Sequence, residues 1–77
     1  GMKVYIDVTA QFDESGGIMP IELRWKDGRR FEIDKVLDVR PLASMKSGGC
    51  GVRYKCRICG QERDLYLEDG RRWFVAT

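Results

Sequence analysis

Cys56-Arg57-Ile58-Cys59-Gly60 is the segment of this chain whose residue types and spacing most resemble a chemical motif. In zinc ribbons, Cys-x-x-Cys-Gly wraps two thiolates around a metal, and a structural zinc needs four such ligands. The third cysteine, Cys50, is the only further thiol, and the sequence has no histidine. Asp64 would be an unusual fourth ligand. In the competing reading Cys56 is a small core residue and Cys59 a turn residue on the opposite face. A redox role is weaker still. Thioredoxin-like pairs sit at a helix N-terminus, whereas residues three apart on a strand point to opposite faces and cannot bridge without distortion. No metal or other cofactor is expected.

A second candidate is cationic. Arg53, Lys55 and Arg57 alternate along one strand, with Arg40 and Lys46 nearby in sequence. Residues 41–60 carry +4 and no acid, although the whole chain is only +2. Small β-barrels bind single-stranded nucleic acid on such faces, with aromatic rings stacking the bases. Tyr5, Tyr66 and either Trp25 or Trp73 could supply those rings. The plainer reading pairs these cations with Glu32, Asp38, Glu62 or Asp64 on adjacent strands, each pair contributing about 0.2–1 kcal/mol. Trp25 and Trp73 flank charged turns, where aromatics commonly cap a core. Ser44-Met45-Lys46-Ser47-Gly48-Gly49 lacks the residue order of a phosphate loop and is followed by no helix. It reads as a loop.

These residues are placed by strands. Met2, Val4, Ile6, Val8, Ala10 and Phe12 are apolar at every second position, the period of a half-buried strand. A second strand carries Ile21, Leu23 and Trp25, beginning near Pro20 or lying at an edge there, because proline has no N–H to donate. Asp27-Gly28 and Asp69-Gly70 supply hairpin turns, since Asp-Gly pairs accept positive φ. Residues 30–40 read as one long third strand with a bulge near Asp34-Lys35. After an irregular stretch over residues 41–51, the fourth strand presents Val52, Tyr54, Cys56 and Ile58 on one face and Arg53, Lys55, Arg57 and Cys59 on the other. Leu65 and Leu67 mark a fifth strand, and Trp73, Phe74 and Val75 a sixth.

The expectation is one all-β domain over residues 1–77. Six antiparallel strands form a meander that closes into a small SH3-like barrel or roll, which hides its edges. The predicted core is Val4, Ile6, Val8, Leu23, Trp25, Phe31, Ile33, Leu37, Val52, Tyr54, Cys56, Ile58, Leu65, Leu67 and Phe74. At 77 residues such a domain buries roughly 60% of its unfolded surface, leaving little margin of stability. No apolar run approaches the ~20 residues of a membrane span, and no signal-peptide pattern opens the chain. An odd number of cysteines argues for a reducing cytoplasm.

Pro20-Ile21-Glu22-Leu23-Arg24-Trp25-Lys26-Asp27-Gly28-Arg29 and the segment from Ile33 to Arg40 carry a family likeness, as do Gly51 to Ile58 and Gly70-Arg71-Arg72-Trp73-Phe74-Val75. Together they resemble a family of small proteins from Firmicutes and related bacteria. That family shares a Pro-x-x-x-x-Trp-x-Asp-Gly-Arg strand-turn element and a closing Trp-[Phe/Tyr]-Val. The resemblance covers most of the chain and implies a cytoplasmic all-β protein, with no mechanism attached. Cys59 stands where the family pattern has a polar or basic residue, which weighs against a metal role.

The functional expectation is a non-enzymatic binding or accessory module. It would act through a sheet edge or face, with Trp25 and Trp73 as candidate contacts, on a protein partner or a second copy of itself. Single-stranded nucleic-acid binding by Arg40, Lys46, Arg53, Lys55 and Arg57 is the alternative, and a cysteine-bound zinc module a further one.

Overall fold

The computed structural model describes residues 1–43 and 50–77, so Lys46 and the rest of residues 44–49 lie outside the described residues. Among the described residues seven strands form one sheet: β1 (Lys3–Phe12), β2 (Ile18–Arg24), β3 (Arg30–Glu32), β4 (Lys35–Leu42), β5 (Gly51–Ile58), β6 (Gln61–Glu68) and β7 (Arg72–Ala76). Neighbours are antiparallel throughout, in the order β3-β2-β1-β7-β6-β5-β4. Among the described residues no helix is long and apolar enough to cross a membrane.

The count is seven and not six because the expected third strand is two strands. Ile33 donates its N–H to the Ile21 carbonyl in β2, and Asp34 donates its N–H to the Arg57 carbonyl in β5, each at 2.9 Å. Two consecutive residues therefore hold opposite edges of the sheet. A flat sheet cannot bring its edges that close, so this one curls into a half-barrel. The expected bulge lies two residues further on, where the β4–β5 ladder skips Leu37 between Val36 and Asp38. Leu37 consequently leaves the core register, and Val36 packs against the core instead.

Both prolines lie within strands, at positions with no neighbour on one side. Pro20 is buried opposite Ala10 in β2, beyond the reach of β3. Pro41 sits in the edge strand β4, which continues past the predicted end at residue 40.

The turns follow glycine. Asp69 and Gly70 both take positive φ (53° and 68°), and Arg71 N–H closes the turn on the Glu68 carbonyl. At the other Asp-Gly pair only Gly28 is left-handed, because the turn from Trp25 to Gly28 is followed by a bulge. The β5–β6 hairpin turns on Cys59 and Gly60, at φ 52° and 74°.

The concave face gathers Leu23, Tyr54, Cys56, Ile58, Leu65, Leu67 and Trp73 as the buried core. Tyr54 packs on Trp73 at 5.1 Å between ring centroids and donates its hydroxyl to the Ile18 carbonyl at 2.6 Å. Adjacent residues of a strand face opposite ways, so only one of Trp73 and Phe74 can enter this core. Trp73 does. Phe74 is buried on the convex face instead, stacked on Tyr66 (5.0 Å, 9°) and met edge-on by Tyr5. The Lys3 ammonium lies 4.7 Å from the Phe74 ring and 2.6 Å from Glu68, which also accepts a hydrogen bond from Tyr5.

Candidate functional site: an open seam between two strands

β6 and β7 pair only at Tyr66↔Phe74, Leu67↔Trp73 and Glu68↔Arg72. Beyond Phe74, β7 stays with β1 through Val4↔Val75 and Lys3↔Ala76, with reciprocal Met2–Thr77 bonds at the end. β6 stays with β5 as far as Ile58↔Gln61. The two strands part, and a cavity of about 650 Å³ opens between them. Its floor is the barrel interior, with Leu23, Trp25, Phe31, Ile58 and Leu65.

Backbone groups face this opening. Asp69 N–H bonds to the Cys50 carbonyl at 2.8 Å, which sets the phase of the β5–β6 ladder. In an antiparallel ladder the bonded positions alternate, so residues 61, 63, 65 and 67 bond towards β5. Tyr66 and Glu68 turn their N–H and C=O towards β7. Glu62 and Asp64 turn theirs into the opening, where none of the described strands meets them. The Met2–Thr77 bonds fix β7 in the same way, and Ala76 faces the opening from the other side.

The side chains alternate as well. Glu62 and Asp64 stand on the convex face, opposite Arg57 and Lys55 in register. Among the described residues neither carboxylate forms an ion pair. Arg63 and Leu65 point to the concave side. Leu65 is fully buried, while Arg63 is exposed at the mouth and hydrogen-bonds Gln61.

The structure sorts the other sequence candidates. Trp25 is half-buried and lines the seam. Trp73 is 8% exposed and packs on Tyr54 in the core. Arg40, Arg53, Lys55 and Arg57 share the convex face of β4 and β5, as the alternation implies. Arg53 reaches Asp38 at 3.2 Å, and Arg40 lies 3.9 Å from the same carboxylate. Register aligns Arg40, Arg53, Tyr66, Phe74 and Tyr5 in one row across five strands. Arg53 is only partly exposed, and its Nε is buried without a hydrogen-bond partner.

The three cysteines are not brought together. Cys50 and Cys59 flank β5 at opposite ends, about 30 Å apart at strand spacing. Cys56 is wholly buried between them, its thiol directed to the Tyr54 carbonyl at 3.6 Å. Among the described residues no group of three or more potential ligands could hold a metal. The Cys59-Gly60 pair of the zinc-ribbon-like motif is a hairpin turn.

Sequence reasoning named Glu62 and Asp64 only as ion-pair partners and missed the unpaired backbone beside them, because where a ladder stops is not written in either strand alone. Comparisons with protein-family models, with curated proteins and with solved structures return no match. The geometry of the seam therefore carries the functional reading.

Proposed function

We propose that the protein is a non-enzymatic binding module that takes an extended segment of a partner protein into the seam between β6 and β7. One observation carries this reading: unpaired backbone groups of Glu62, Asp64 and Ala76 border an opening with an apolar floor. An added strand gains main-chain hydrogen bonds, and its alternate side chains enter the pocket. The second opening, about 580 Å³ between β2 and β4, suits strand addition less well. Its two borders carry Pro20 and Pro41, each lacking a donor. Burying two apolar side chains contributes about 3–6 kcal/mol and the main-chain hydrogen bonds add to it, but the cost of association offsets much of the sum, so affinity is expected to be weak, on the order of a tenth of a millimolar to a millimolar.

The test is a titration of isotope-labelled protein with decapeptides in which valine alternates with lysine, with threonine or with glutamate. The backbone amides of Glu62, Asp64 and Ala76 should shift and gain protection from hydrogen exchange with at least one peptide. If none of the three moves these amides, the seam is not a strand-binding site.

A second reading rests on the row running from Arg40 through Arg53 to Tyr66, with Lys55 and Arg57 beside it. Three to four phosphate contacts on single-stranded nucleic acid would give a log–log salt slope of about −2 to −3. Arg40→Glu combined with Arg57→Glu is the suitable control, since both side chains are exposed. Arg53 is unsuitable because its guanidinium is partly buried. A fluorescence titration with short single-stranded DNA and RNA at low salt that shows no binding at tens of micromolar protein would end this reading.

A further inference from the structure

We infer that the segment accepted by the seam is one in which basic and apolar residues alternate, a deepening that rests on the seam reading above. Once a strand lies beside β6, its side chains continue the two faces of the sheet. On the concave side they meet Leu23, Trp25, Phe31 and Leu65 on the floor, with Arg63 at the mouth, so the alternate residues that reach the floor must be apolar. On the convex side their cross-strand neighbours are Glu62 and Asp64. Neither carboxylate has an ion-pair partner among the described residues, although Arg57 and Lys55 stand opposite on β5. Lysine or arginine placed on the seam side would give each acid a cation at cross-strand distance. Glutamate or aspartate there would set like charges opposite one another.

A second copy of the chain fits less well. The exposed edge strand β3 offers only Arg30-Phe31-Glu32, and Glu32 would fall on the acidic side of the seam together with Arg30. Long-range attraction also fails to account for the preference, because the chain is +2 and favours an acidic ligand at a distance. A preference for the basic peptide must therefore arise locally, at Glu62 and Asp64.

The experiment compares the lysine–valine, threonine–valine and glutamate–valine decapeptides by fluorescence anisotropy at low salt, with amide shifts locating each complex. The lysine peptide should bind about tenfold more tightly than the glutamate peptide, from two cross-strand charge pairs, with the threonine peptide between them. Added salt should narrow the difference. Glu62→Lys with Asp64→Lys should reverse the order, and Glu62→Gln with Asp64→Asn, which adds no repulsion to β5, should flatten it. Equal binding of all three peptides at the seam, or tighter binding of the glutamate peptide there, overturns the basic preference and leaves the seam reading standing. No binding at the seam by any of them overturns both. Binding of the glutamate peptide to the β4–β5 face alone, with no basic peptide in the seam, does the same.

Discussion

At the scale of single residues, the cysteines show how position governs chemistry. Burial pushes the Cys56 thiol from its ordinary 9.0 up to about 11. In the unfolded chain the same thiol ionises near its ordinary value, so the unfolded state releases a proton that the folded state keeps. The resulting stability is complete below about pH 9 and is lost as the pH rises towards 11, by about 2–3 kcal/mol. Burial raises the Tyr54 hydroxyl as well, which acts in the same direction. Urea melts of the wild type across pH 8–11 should show this fall, and Cys56→Ala should show a shallower one. A thiol reagent under native conditions should label Cys50 and Cys59 quickly and Cys56 only at the rate of unfolding. Three equally fast thiols would contradict the buried placement.

At the scale of elements, the β5–β6 hairpin is the informative case. Its two central residues both need positive φ, and Cys59 is not a residue that adopts it readily. Cys59→Asn should raise stability by about 0.5–1 kcal/mol, read as a higher denaturation midpoint at unchanged slope. Gly60→Ala should lower it by 1 kcal/mol or more. The strands themselves were largely legible. Alternation located Val52, Tyr54, Cys56 and Ile58 on the inner face and Arg53, Lys55 and Arg57 on the outer one, because side chains on a strand have a period of two. Residues 30–40 were misread as one strand because a corner in a strand interrupts neither β-propensity nor alternation strongly. Its cause is the need of Ile33 and Asp34 to serve two different neighbours.

At the scale of the whole molecule, a seven-stranded half-barrel of 77 residues has a thin core. Leu65 is fully enclosed and borders the seam, so Leu65→Ala should cost about 2–5 kcal/mol. That is a large share of the total stability expected at this size, and the thermal midpoint should drop or the transition vanish. Ile58→Ala belongs in the same range. Ile33→Ala should cost less, because Ile33 is only half-buried at the corner. A far-ultraviolet spectrum of the wild type should be that of β-structure.

The sequence by itself determined what depends on a residue and its near neighbours. Glycine marked the turns because few other residues accept a left-handed backbone. Period-two alternation sorted the faces, and the charges followed the convex one. Tertiary structure decided what depends on which strands meet. It chose Trp73 over Phe74 for the core, since alternation requires one of the two to face inward without saying which. It buried Cys56 beyond the reach of Cys50 and Cys59. It also made the seam, because β7 follows β1 while β6 follows β5, and the parting of two ladders is a property of four strands together.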